Sequence, residues 1–116
     1  MSKYFNQFSD IEPIEIMPGF RGKFIHTKSL TLALWEIEAG STLPLHQHPH
    51  EQVSQLVSGE FEMTVAGEYQ KAIPGELITI PGHIDHEGKA LTDCVIFDIF
   101  SPVREDYKAR QLEKQG

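Results

Sequence analysis

GSTLPLHQHPHEQVSQLVSG, residues 40–59, is the stretch on which the fold turns, because three of the chain's six histidines sit in it at alternate positions: His46, His48 and His50. On an extended backbone successive side chains point to opposite faces, so residues two apart share a face. Two imidazoles so spaced can grip one metal ion, with Gln52 next on the same face as an oxygen donor. Neutral imidazole suits iron, nickel, copper, zinc and manganese. A lone His-x-His is more often a pair of surface histidines in a polar loop, so its meaning depends on the rest of the chain.

Outward from this stretch the texture is β. KFIHT (23–27) and TLALWEIE (31–38) precede it; EQVSQLV, EFEMTVA, EYQKAI, ELITI and a last run over 91–100 follow, separated by Gly59, Gly67, Pro74-Gly75 and Pro81-Gly82. Short β-branched and aromatic runs broken by turn residues every 8–12 positions predict an antiparallel sandwich or barrel. Residues 1–22 mix Tyr4, Phe5, Phe8 and Phe20 with Pro13, Pro18, Gly19 and Gly22, which predicts an irregular or edge-forming arm. Pro102 and the charged run REDYKARQLEKQ predict a short, mostly exposed helix anchored by Tyr107, Ala109 and Leu112. One domain is expected, with the arm over 1–22, the barrel over 23–101 and the tail over 102–116.

Composition narrows the function classes. Hydrophobic residues make up 40% and charged residues 23%, the balance of an ordinary folded protein, and no apolar run is long enough to cross a membrane. No apolar segment follows the first five residues, so a cytoplasmic protein is expected. A formal net charge of -7, with scattered Lys and Arg, argues against nucleic acid as a partner. The single Cys94 lies in the apolar run CVIFDIF and reads as a buried, inert thiol.

A site built from His46 and His48 alone would be weak, so further ligands must come from elsewhere. His86, in the turn-rich PGHIDH, is the best candidate, and His83 reads as a turn or rim residue. Two blocks here resemble the paired signatures of the cupins: Gly40, His46, His48, Gln52 and Gly59 in the first, Gly75, Pro81 and His86 in the second. The resemblance implies an all-β double-stranded β-helix, a jelly-roll barrel holding one divalent transition metal ion, Ni, Fe, Mn or Zn. Three positions depart from the pattern: Gln52 replaces a glutamate, His83 a glycine and Ala90 an asparagine. Exchanging carboxylate for amide removes one negative charge beside the ion, which strengthens Lewis acidity and favours polarising a substrate oxygen over activating dioxygen. A one-residue slip would instead bring Glu51 to the ion. His50 reads as lining the mouth or hydrogen-bonding.

In the last strand Asp98 shares a face with Ile96 and Phe100. A carboxylate among apolar neighbours is either ion-paired or kept for proton transfer, since burial raises its pKa toward the working range. Arg104 reads either as a clamp for a substrate carboxylate or as a solvated arginine opening the helix, with Arg21 and Lys23 as weaker cationic candidates. HPHEQ together with DIFSPVREDY looks like the KdgF family, the small single-domain cupins of pectin and alginate catabolism that open 4,5-unsaturated monouronates to linear keto sugars. That likeness implies metal ligands at His46, His48, Gln52 and His86, and further active-site roles for Asp98, Phe100 and Arg104. It implies a small anionic sugar or carboxylate as substrate. A homodimer is expected because cupin sheets leave hydrophobic edges and the aromatic arm lacks an obvious partner in so short a chain.

Overall fold

The computed structural model describes residues 3–115; Met1, Ser2 and Gly116, which belong to the expected arm and tail, lie outside the described residues. After a 3-10 turn at Phe8–Asp10 come ten strands: β1 (Ile14–Met17), β2 (Phe20–His26), β3 (Thr31–Ile37), β4 (Thr42–His46), β5 (Glu51–Ser58), β6 (Phe61–Val65), β7 (Glu68–Lys71), β8 (Leu77–Ile80), β9 (His86–Ala90) and β10 (Cys94–Ser101). The helix α1 (Glu105–Gln115) closes the chain. The strands form a six-stranded sheet, β1-β2-β3-β10-β5-β8, and a four-stranded sheet, β4-β9-β6-β7. Every pairing in both is antiparallel. This is the all-β jelly-roll architecture with a short C-terminal helix. No helix among the described residues is long and apolar enough to cross a membrane.

The sheets face each other because their strands carry a strict two-residue period. β10 alternates buried and half-buried positions along its whole length, and β3 does so through Trp35. A strand with that period has one face that must find a core. Phe24, Trp35, Leu56, Ile80, Ile96 and Phe100 fill it from the larger sheet, and Phe61 and Met63 from the smaller. Each such side chain contributes about 1.5–3 kcal/mol by leaving water. Gly59 makes the passage from β5 to β6 possible: its φ is +93°, and a Cβ there would stand 2.3 Å from the Asp93 carbonyl oxygen. Backbone cannot yield at that distance, so only glycine fits.

Three local expectations need correction. The barrel starts at Phe20, ahead of Lys23; the edge-forming reading of the arm holds in its later half, where β1 pairs with β2 across the Pro18-Gly19 turn. The turn-rich PGHIDH runs into a five-residue strand, β9 (HEGKA); its composition is poor for a strand, but it lies between β4 and β6 and is paired on both sides. The helix is anchored differently: Tyr107 is buried, but Ala109 and Leu112 are exposed. Polar bonds take their place. Arg110 donates to the Glu15 carbonyl, Gln111 to that of Phe24 and Lys114 to that of Pro13, so the helix satisfies backbone at the β1–β2 edge.

Candidate metal centre

His46, the last residue of β4, lies directly opposite His86, the first of β9, and antiparallel partners point to the same side of a sheet. Their rings are 4.1 Å apart. The chain then leaves the sheet, and His48 comes from the loop over 47–50, its ring 5.0 Å from His86. His46, His48 and His86 each offer a ring nitrogen within 4.8 Å of the other two, a group that could hold a metal ion. Uninterrupted alternation along one strand therefore does not describe the stretch: β4 ends at His46 and Gln52 belongs to β5 in the other sheet. The loop is held by the facing one, where His83 adopts φ +62° and donates its N–H to the His48 carbonyl at 2.7 Å. That left-handed conformation is the physical reason for a glycine preference at this position.

The tautomers follow from the partners. Nδ1 of His46 bonds the Pro44 carbonyl, Nδ1 of His48 that of His50, and Nδ1 of His86 that of Ile84. A carbonyl only accepts, so each Nδ1 carries the proton and each Nε2 is left as a bare lone pair. Burial first, then the charges of Arg104 and His86, pulls the pKa of His48 down to about 4, and burial lowers that of His86 as well. At neutral pH both rings are uncharged ligands in waiting.

Two observations show that these residues fit a cation. Nε2 of His86 is buried with no hydrogen-bond partner in a side chain only 1% exposed. Nε2 of His48 stands 3.0 Å from Oε1 of Gln52, two lone-pair atoms facing each other with no hydrogen between them. Orphaned buried acceptors are costly, and one positive ion shared among them removes the cost. Glu51 is exposed, whereas Gln52 is 5% exposed and faces inward. His50 rests its ring against His48 and Phe100, outside the cluster.

The register of β10 brings the remaining candidates to the same end of the barrel. Phe100 pairs with Gln52 and Asp98 with Ser54 across β5, while Ala33 faces Asp98 from β3. Asp98 is 6% exposed and accepts hydrogen bonds from Trp35 Nε1 at 2.9 Å and from the Ser54 hydroxyl. Burial raises its pKa from the ordinary 3.8 to about 6, partly countered by those two bonds. The alternative of an ion pair is not realised: the three ion pairs among the described residues do not involve Asp98.

Arg104 lines the cavity rather than solvent, with its guanidinium over the rings of Tyr107 and Phe100 at 3.9 and 4.7 Å. Its fork is already occupied, since Nε and Nη2 bond the two oxygens of Asp106 at 2.9 and 2.7 Å. Burial opposes its charge, but the Asp106 bonds and the surrounding groups more than offset this and raise its pKa. Arg21 and Lys23 do not line the cavity. Trp35, Ser54, Asp106 and Tyr107 were not expected at the site. Ser54 alone carried a local signal, a polar residue in phase with Gln52 and Leu56 on an inward face.

The Cupin domain family profile matches residues 33–100. The structure is similar to KdgF from a Halomonas species, with a TM-score of 0.81 and 31% identity, covering 85% of this chain and 94% of that one. It is likewise similar to an RmlC-like cupin from Shewanella frigidimarina, with a TM-score of 0.85 and 30% identity over 91% of this chain and 96% of that one. A further relative is an uncharacterised protein of Streptomyces coelicolor, 25% identical over 81 residues, which are 69% of this chain and 77% of that protein.

Proposed function

The chain belongs to the cupin family, and from that premise we propose that it is a metal-dependent enzyme opening 4,5-unsaturated monouronates, such as those released from pectin or alginate, to linear keto sugars. The observation that carries this reading is Asp98, the one buried carboxylate among the described residues, which lines the same cavity as the histidine cluster and a charged arginine. The likeness to a KdgF at 31% identity over most of both chains supports the choice of substrate class.

The ligands are His46, His48, His86 and the amide oxygen of Gln52. The ion, when bound, supplies Lewis acidity that polarises a substrate oxygen. Asp98 takes the proton of the anomeric hydroxyl; the C1–O5 bond breaks, C1 becomes an aldehyde and the electron pair stays on O5 as an enolate. Returning that proton to C4 gives the 5-keto acid, so the reaction is an isomerisation that consumes neither water nor oxidant. Trp35 and Ser54 fix Asp98, which is thereby preorganised for both transfers. With its fork on Asp106, Arg104 meets the substrate carboxylate through its remaining nitrogen, Nη1, while Phe100 packs against the sugar.

Mixing purified, metal-loaded protein with unsaturated galacturonate should remove the absorbance of the C4=C5 bond at a rate proportional to protein. Decay no faster than in buffer excludes this substrate class. One observation favours a second reading, a smaller carboxylate handled by lyase or dioxygenase chemistry: the accessible space in the cavity is only about 50 Å³, room for a few water-sized groups. Oxygen uptake dependent on a small carboxylate distinguishes the dioxygenase, since ring opening consumes none.

The outer face of the larger sheet supports a homodimer. Leu32, Leu34, Val53, Val95, Phe97 and Ile99 project from it half-buried, and within one chain Phe8 of the arm packs edge-on against Phe97. An apolar face of this breadth on a sheet is a surface for a second copy. Light scattering is expected to give twice the 13.1 kDa chain mass. Phe97→Lys should return it to the monomer value; a monomeric wild-type protein removes the dimer.

A further inference from the structure

We propose that Ser54 is a positioning residue that decides which end of the Gln52 amide faces the three histidines. The inference rests on the reading of Gln52 as a metal ligand. The oxygen and nitrogen ends of a primary amide have nearly the same shape, so packing alone does not choose between them; hydrogen-bond partners must. Gln52 is buried, with His48 on one side at 3.0 Å and, on the other, Ser54 at 2.9 Å as its nearest partner and Asp98 behind it as a second acceptor.

The choice propagates from the far end of a chain of bonds. Trp35 Nε1 has only a proton to give and gives it to one oxygen of Asp98. The other Asp98 oxygen takes the single hydroxyl proton of Ser54, which stands directly opposite it across the β10–β5 pairing. Having spent that proton, Ser54 Oγ can only accept on its remaining side, so Gln52 must present its NH₂ there. The amide oxygen is thereby left toward Nε2 of His48 and the cluster. Ser54 and Gln52 are two residues apart on one strand and share its inner face, which makes this placement a consequence of register.

The alternative arrangement is a self-blocked site. Without the Ser54 hydroxyl the NH₂ loses its nearest acceptor and is held only by the more distant Asp98, so the amide turns more readily to donate N–H to the bare Nε2 of His48. That is a satisfied hydrogen bond occupying the lone pair a metal needs, and an incoming ion would have to break it and reverse the amide. Ser54 removes that competitor, and through Asp98 and Trp35 it links the ligand to the larger sheet's core.

The test is a competition between protein and a chelator for Co²⁺, read by the visible spectrum of the bound ion. Ser54→Ala should bind Co²⁺ about 10–100-fold more weakly, the range for losing an outer partner of a ligand, with altered bands, while Ser54→Thr, which keeps the hydroxyl, restores both. Gln52→Ala alone should also weaken binding. In the Gln52→Ala background, adding Ser54→Ala should cost no more than about two-fold, because there is no amide left to orient. An equal cost of Ser54→Ala in both backgrounds, or none in either, overturns the role of Ser54 while leaving the metal site standing. A wild-type protein that binds no Co²⁺ overturns the metal site itself, and this inference with it.

Discussion

Asp98→Asn is expected to lower kcat by about 10²–10⁴-fold, the span typical of losing a positioned general acid–base group, when measured at saturating metal so that any weakening of the Gln52 ligand through Ser54 is overcome. The substitution suits the site. An asparagine oxygen can accept from Trp35 Nε1 and its NH₂ can donate to Ser54 Oγ, so both neighbours of the carboxylate keep a partner. What is lost is the ability to take and return a proton. Stability should move the other way. The Asp98 carboxyl is raised in the fold from 3.8 to about 6 by burial, so the folded metal-free protein holds this proton more tightly than the unfolded chain does. Its favourable contribution is complete below about pH 4 and is lost as pH rises toward and through 6, a difference of roughly 3 kcal/mol. The His48 imidazole, lowered from 6.5 to about 4, contributes with the opposite sign over the same window, so metal-free wild-type protein should change little in net stability from about pH 4 to 6, whereas Asp98→Asn, which keeps only the histidine contribution, should gain stability as pH rises in urea unfolding. Full activity in Asp98→Asn would remove Asp98 from the chemistry. Activity restored by raising the metal concentration would make it a support of the metal ligands instead.

The contrast between Asp98 and its neighbours shows where local pattern carries information and where it stops. A single charge inside CVIFDIF is visible because alternation along one strand assigns it to a face, and the structure puts it on the inner one. Its partners are invisible to the same reasoning. Trp35 and Ser54 reach Asp98 only because β10 pairs with β3 on one side and β5 on the other, with registers fixed by long-range sheet assembly. Gln52 falls on the inner face although the step leading to it, an unbroken strand from His46, does not exist. The loop over 47–50 carries no fixed two-residue phase, and it is the pairing of Gln52 with Phe100 and Ile80 that sets its direction. The strands were legible wherever β-branched and aromatic residues alternate between glycine turns. β9 was not, because HEGKA owes its conformation to strands on both sides. Arg104 was half legible: its approach to the cavity was one of two readings, but nothing in REDY says that Asp106 will take its fork two residues on.

Removing His86 should have the largest effect on the metal itself. Its Nε2 is the most completely enclosed of the three lone pairs, buried with no partner, and its ring is placed by a cross-strand pairing with His46 rather than by a loop. Even an outer partner of a ligating histidine costs 10–100-fold in affinity, so losing the histidine should cost more than about 10²-fold. His86→Ala tests this directly but opens a void in the core, a change that itself costs several kcal/mol when a ring is deleted. His86→Phe keeps a ring against His46 and removes only the nitrogens, which separates ligation from packing. The orphaned acceptor disappears, but so does the Nδ1 hydrogen bond to the Ile84 carbonyl, so the metal-free fold of His86→Phe should stay within about 1–2 kcal/mol of metal-free wild type. The decisive readout is the thermal shift on adding Ni²⁺ or Mn²⁺. At an ion concentration about 100 times Kd the wild-type protein gains about 2.7 kcal/mol, which for a chain of this size is on the order of 10 °C in Tm. His86→Phe should show no shift. A metal-induced shift of wild-type size in His86→Phe would mean that the ion is held elsewhere and that the converging histidines are only packing.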